Sequence, residues 1–192
     1  MFDINNRRYT GSKHKLMNWI KELIEQNCDG NTFFDVFAGT GTVTESVLGE
    51  YNNFIINDFL YSNEAIYKGF FMQDDFDSEK LSKIQDNYNN ISKFKLENNY
   101  VSDNFGGKYF SKNDAKMIGF IREDIEKKYN SNELNEKEYY VMLSSLLYSL
   151  DKISNTCGHY DAYIKKDVVD DKFNYEMISP IKLEKGKAVQ IC

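Results

Sequence analysis

Leu16, Trp19, Ile20, Leu23 and Ile24 recur at spacings of three and four, which predicts an amphipathic helix lying on an apolar surface and stopping near Asp29-Gly30. The next apolar run, Phe33-Phe34-Asp35-Val36-Phe37, is too short for a helix and rich in aromatic residues. Gly39 and Gly41 follow it directly, so it predicts a buried strand giving way to a helix from about Thr42. Phe54-Ile55-Ile56-Asn57 predicts a second strand that ends on Asp58, and the pattern from Tyr61 to Phe71 predicts another helix. Strand, helix, strand, helix is the order of a parallel sheet with crossover helices, an α/β architecture.

From residue 72 to about 110 the chain turns polar and no period dominates, so irregular or insert-like structure is expected there. Two helices follow, one built on Met117, Ile118, Ile121 and Ile125, the other on Tyr139, Leu143, Leu146, Leu150 and Ile153. After Pro180 the segment Ala188-Val189-Gln190-Ile191-Cys192 has the character of a third strand. The expected division is residues 1–72, a Rossmann-like, ligand-binding part; 73–178, a mostly helical insert or target-recognition region; and 179–192, the start of a further strand.

With 41% hydrophobic residues in 192, the chain carries enough apolar material for one compact core. No run approaches the roughly 18 apolar residues of a membrane span, and the N-terminus lacks the apolar stretch of a signal peptide, so a soluble cytoplasmic protein is expected. Cys28, Cys157 and Cys192 are widely spaced and accompany two histidines, which suggests neither a disulfide framework nor a metal site. The net charge of −6 argues against a broadly basic nucleic-acid binder. Local clusters remain: Arg7, Arg8, Lys13, His14 and Lys15; Lys165 and Lys166; Lys182, Lys185 and Lys187. Solvated surface charge is the first reading of each and a phosphate track the second.

The chemistry concentrates in Asp35-Val36-Phe37-Ala38-Gly39-Thr40-Gly41-Thr42, a strand running into a glycine turn and then a helix. Glycines let the backbone turn sharply and approach a ligand with no Cβ in the way. Asp58, at the end of the next strand, adds a carboxylate able to accept hydrogen bonds from the hydroxyls of a ribose. Together they specify a ribose-bearing ligand at the carboxyl ends of parallel strands. A nicotinamide or flavin dinucleotide stays open, but it calls for a third glycine where Val43-Thr44 stands, so a cofactor without a pyrophosphate fits better.

Arg8-Tyr9-Thr10-Gly11-Ser12-Lys13, ahead of the first helix, completes a set of motifs that resembles the Dam-like N6-adenine DNA methyltransferases of restriction-modification systems. Those enzymes open with an aromatic-x-Gly-x-Lys turn, continue with Phe-x-Gly-x-Gly, and place an Asp at the end of the second strand. The likeness is specific over residues 6–72. It continues loosely through Phe105-Gly106-Gly107-Lys108-Tyr109-Phe110 and the segment from Asn155 to Tyr163, which includes His159. The resemblance implies S-adenosylmethionine as cofactor and double-stranded DNA as partner, within a Rossmann-like S-adenosylmethionine-dependent methyltransferase fold incomplete at the C-terminus. It also implies that Tyr9, Gly11 and Lys13 contact the cofactor and that the backbone of Phe37, Ala38, Gly39, Thr40 and Gly41 wraps its methionine end. Asp35 would lie near the cofactor's amino group, Asp58 would hold the ribose, and Phe59 would cover the adenine.

The resembled enzymes hold the target amino group with an Asp-Pro-Pro-Tyr loop after base flipping. This sequence has one proline, so no residue here is assigned to methyl transfer. A truncated or split gene product is the simplest expectation; a subunit gaining the loop from a second chain is the alternative, as is a cofactor- or DNA-binding module without turnover. A cognate restriction endonuclease system is the further partner the resemblance implies.

Overall fold

The computed structural model describes the chain except residues 9, 10, 12, 158, 159 and 166–170. Among the described residues it is a mixed α/β protein with a three-stranded parallel sheet and seven α-helices. The strands are β1 (Thr32–Asp35), β2 (Asn53–Ile56) and β3 (Ala188–Ile191), ordered β1-β2-β3, with Phe33 opposite Phe54 and Phe54 opposite Val189. The helices are α1 (Met17–Asn27), α2 (Thr42–Ser46), α3 (Tyr61–Phe71), α4 (Ser78–Asn90), α5 (Tyr100–Phe105), α6 (Lys112–Asn130) and α7 (Glu136–Ile153). None is long and apolar enough to cross a membrane.

Because side chains alternate along a strand, Phe33, Phe54, Ile56, Val189 and Ile191 share one face of the sheet. That face packs onto two apolar clusters, one around Val47 and Tyr51, the other a large core containing Ile66, Phe70 and Phe71 of α3. The opposite face carries Thr32, Phe34, Asn53, Ile55, Ala188 and Gln190. All of these are exposed except the half-buried Ile55, and Phe34 stands 53% exposed. Parallel sheets are normally covered on both faces; among the described residues this sheet is packed on one.

The structure corrects two expectations. The Phe33–Phe37 run is not a buried strand: β1 stops at Asp35 and lies at the sheet's edge, Phe33 is half-buried, and Phe37 is 76% exposed. The helix from Leu16 to Ile24 does form, as α1, but its apolar stripe is only partly covered. Ile24 reaches the Val47–Tyr51–Phe54 cluster, whereas Leu16, Trp19 and Leu23 are exposed.

The polar stretch from 72 to 110 is not irregular. Asp77 caps α4 by accepting from the backbone N–H groups of Glu79 and Lys80, and Leu81, Ile84 and Tyr88 bury one stripe of it. Asn99 caps α5 in the same way, with Ser102 completing a capping box. The asparagine tract at 87–90 belongs to the last turn of α4, where Asn89 exchanges hydrogen bonds with the backbone of Tyr175.

The expected helices before and after residue 130 form as α6 and α7. Within the expected stripe of α7 Leu146 is buried while Leu143 and Leu150 are half-buried, and Val141, Ser144, Ser145 and Tyr148 add a further deeply buried face. Small residues there allow close approach to α3. A Cβ on Gly69 would stand 2.3 Å from Ser144 Oγ and 2.8 Å from the Tyr140 carbonyl oxygen. Gly69→Ala is therefore expected to lower stability by about 1–3 kcal/mol in urea unfolding, the scale of overpacking. An unchanged midpoint would show that α3 and α7 can part at no cost.

Candidate functional site

The N-terminal segment and the glycine turn are built as one unit. Phe2 bridges to Ile178, with its N–H donating to the Met177 carbonyl at 2.8 Å, and this directs Ile4 into the core. Gly41 has φ +79°, and a Cβ there would lie 2.8 Å from Ile4 Cδ1, so both conformation and space demand glycine. Gly39 is likewise left-handed, at φ +59°. Its carbonyl accepts from the buried Tyr67 hydroxyl at 2.7 Å, and the Ala38 N–H donates to the Asn57 carbonyl at 3.0 Å. Asn5 accepts from the Thr42 hydroxyl at 3.0 Å and donates to Glu45 at 2.8 Å, which ties the turn and α2 to the N-terminus.

Asp58 joins the end of β2 to this turn. Its Oδ2 accepts the Gly39 N–H at 2.8 Å, and its Oδ1 accepts the Leu60 N–H at 3.1 Å and the Asn63 side-chain amide at 2.9 Å. A carboxylate offers about four lone-pair positions, so these bonds leave room for about one strong additional donor. Asp35 sits beneath the turn, where its Oδ2 accepts from the Thr44 hydroxyl at 2.9 Å. Burial pushes its carboxyl above the usual range; the Thr44 bond and the nearby Lys13 charge pull it partly back. Lys13 is exposed, and Gly11 turns at φ +90° with nothing within 4 Å of where a Cβ would be. Phe59 is 93% exposed and Tyr61 88%, so neither is core; both stand, like Phe37, on the surface just beyond the carboxyl ends of the strands.

The D12 class N6 adenine-specific DNA methyltransferase family matches residues 9–189 of this chain, glycine turn, Asp58 and helical region included. The chain belongs to that family. It is similar to modification methylase LlaI of Lactococcus lactis subsp. lactis, 32% identical over 169 residues, covering 82% of this chain and 27% of that protein. It is also similar to modification methylase StsI of Streptococcus sanguinis, 33% identical over 172 residues, covering 82% of this chain and 26% of that protein. With the type II methyltransferase M.CviAII of Paramecium bursaria Chlorella virus 1 it shares 32% identity over 170 residues, covering 85% of this chain and 51% of that protein. The chain thus spans between about a quarter and about half the length of these relatives. No solved structure matches it.

Within this D12-class chain the structure brings Asp35, Phe37, Ala38, Gly39, Thr40, Gly41, Asp58 and Phe59 together at one end of the sheet, with Lys13 close enough to act on Asp35. Tyr9 and His159 lie outside the described residues.

Three residues linked to Asp58 by hydrogen bonds were not legible as its neighbours: Arg7, Asn63 and Asp151. Arg7 is not a solvated surface charge, whereas Arg8 is exposed. Arg7 pairs with Asp151 at 3.2 Å, both side chains about 10% exposed, and Arg8 donates to the Ser154 and Thr156 carbonyls. Lys187 is also drawn inward, onto the Leu48 carbonyl and Glu184. A signal did exist for two of the three, since Asn63 and Asp151 fall on the apolar faces of their helices, where a polar residue requires a partner.

Proposed function

We propose that this chain is the cofactor-binding part of an enzyme that methylates adenine N6 in double-stranded DNA with S-adenosylmethionine, as the modification arm of a cytoplasmic restriction-modification system. The observation that carries this reading is the Asp58 carboxylate locked to the Gly39 N–H at the carboxyl ends of two parallel strands, in a chain that its family matches almost end to end. The cofactor, when bound, supplies an electrophilic methyl group. The protein's task is then to hold it. Asp58 has capacity for about one ribose hydroxyl, and the backbone of Phe37–Gly41 takes the methionine end. Asp35 faces the amino group, Phe59 covers the adenine, and Tyr9, Gly11 and Lys13 supply the cofactor contacts that the family resemblance implies. Residues 73–178 serve target recognition, and the Rossmann-like sheet, bare on one face, is completed by a further segment.

A second reading is a cofactor- or DNA-binding subunit without turnover, which takes its catalytic loop from another chain. The exposed face of the sheet supports it.

Calorimetry tests the cofactor assignment. S-adenosylhomocysteine is expected to bind more tightly than NAD or ATP, and tighter binding of NAD would sink the reading. Asp58→Ala is expected to weaken S-adenosylhomocysteine by about 1.5–3 kcal/mol, the scale of a hydrogen bond to a charged group. Unchanged affinity in a folded variant would remove Asp58 from the site.

A further inference from the structure

Asp58 is the first member of a polar chain that runs out of the sheet and into the helical region. Asn63, fully buried in the first turn of α3, donates its side-chain amide to Asp58 Oδ1 at 2.9 Å and accepts from the Arg7 guanidinium on its carbonyl oxygen. Arg7 Nε donates to Asp151 Oδ2 at 3.2 Å, and the other Asp151 oxygen accepts the Tyr160 hydroxyl at 3.0 Å. Burial pushes the Asp151 carboxyl upward, and Arg7 pulls it partly back.

Tyr160 in turn packs on Tyr109 and Phe110, and the Asn155 N–H donates to the Tyr109 carbonyl at 2.9 Å. Tyr109, Phe110, Asn155 and Tyr160, from the two outlying parts of the resemblance, are therefore joined to each other and linked through Asp151 and Arg7 to the glycine turn.

The polarity of this chain is fixed at every link. An amide between a carboxylate and a guanidinium has one stable orientation, NH₂ toward the carboxylate and oxygen toward the guanidinium. With Asn63 unable to flip, Asp58 must present Oδ1 to α3 and Oδ2 to Gly39, which leaves its remaining lone pair aimed in one direction. A buried guanidinium without its carboxylate would be strongly disfavoured, so Asp151 keeps Arg7 in place.

We propose that Asn63 and Arg7 are positioning residues for Asp58, held from the helical region by Asp151, so that cofactor affinity depends on a carboxylate of α7. This rests on the reading of Asp58 as a cofactor ligand. It implies a coupling between the two regions, because any partner that displaces Tyr160 or Asp151 alters the glycine-turn site, and reciprocally.

Asn63→Asp tests it in the full chain. The substitution keeps the volume and the acceptor for Arg7 but sets a second carboxylate against Asp58 in place of a donor. The charged groups facing that position are Asp58 from the end of β2 and Arg7 from the N-terminal segment, with Asp151 of α7 behind Arg7. By calorimetry, S-adenosylhomocysteine is expected to bind the variant at least about tenfold more weakly than wild type at pH 7.5. The ratio between the two should narrow by pH 5.5, because protonation of the introduced carboxyl restores a donor. Asp151→Asn, which removes charge but not shape, is expected to cost about three- to tenfold.

Wild-type affinity in a folded Asn63→Asp chain would overturn the proposal, as would an equal loss at both pH values. If Asn63→Asp does not fold, Asp151→Asn decides alone, and unchanged affinity there overturns it. Failure of wild type to bind S-adenosylhomocysteine would instead remove the cofactor reading, and this proposal with it.

Discussion

Thermal stability is expected to rise as the pH goes from about 7.5 to 9.5 and then to collapse by pH 11. The rise comes from Lys137, which is 2% exposed and donates its ammonium to the Gly69 carbonyl at 2.8 Å and the Lys68 carbonyl at 3.3 Å, in the last turn of α3. Burial depresses its pKa to about 8. In the unfolded chain a lysine titrates near 10.4, so between about pH 8 and 10 the unfolded state binds more protons, and stability increases with pH by up to about 1.4 kcal/mol per unit.

The collapse has the opposite sign. Tyr88, Tyr148 and Tyr175 are almost fully buried and donate their hydroxyls to Asp124, to the Ile4 carbonyl and to the Met142 carbonyl at 2.7, 2.9 and 2.7 Å. Burial, reinforced at Tyr88 by Asp124, raises all three far above the ordinary tyrosine value. Above about pH 10 they ionise only in the unfolded chain, and three such groups together remove about 4 kcal/mol per unit. That is comparable to the whole stability of a small domain. Lys137→Met should flatten the rise, and Tyr148→Phe should soften the fall. A melting temperature that declines steadily from pH 7.5, or an undiminished rise in Lys137→Met, would show that these groups do not control it.

Elements whose signal is local are legible in the sequence, and those that depend on a neighbour far along the chain are not. The glycine turn, the strand ending on Asp58 and the helix over Tyr61–Phe71 are each specified by a few adjacent residues. Helix α4 carries a buried stripe at 81, 84 and 88, but its asparagines dilute the pattern below what periodicity alone detects. Phe34 and Phe37 read as core because aromatic residues in a strand usually are; Phe34 instead lies on the exposed face of the sheet, and Phe37 stands in the turn beyond the end of β1. The Arg7–Asn63 and Arg7–Asp151 contacts join residues 56 and 144 positions apart, a pairing no local pattern encodes. The glycine turn was thus legible, and the polar chain behind Asp58 was not.

Methyl transfer to adenine in duplex DNA by the 192-residue chain alone is expected to be undetectable, even at saturating S-adenosylmethionine. Adenine N6 is a poor nucleophile because its lone pair is delocalised into the ring. Transfer requires acceptors that hold the amino hydrogens and keep the nitrogen in line with the methyl group. The resembled enzymes use an Asp-Pro-Pro-Tyr loop, whereas the one proline here, Pro180, precedes β3. The neighbouring Ile181 N–H bonds the Phe70 carbonyl, at the opposite end of α3 from Asn63, so Pro180 cannot serve the glycine turn. Alignment of this kind is worth about 7–11 kcal/mol in oriented reactions, and its loss puts the rate below ordinary detection. A segment carrying such a loop, supplied in the same polypeptide or as a second chain, should restore transfer by docking on the uncovered face around Phe34 and Ile55 and along the free edge of β1. Charged substitution of Phe34 should then block the restoration without changing S-adenosylhomocysteine affinity. Labelled methyl appearing in DNA adenine with the chain alone, above an Asp58→Ala control, would refute the expectation and require an amino-group acceptor among the residues at the carboxyl ends of β1 and β2.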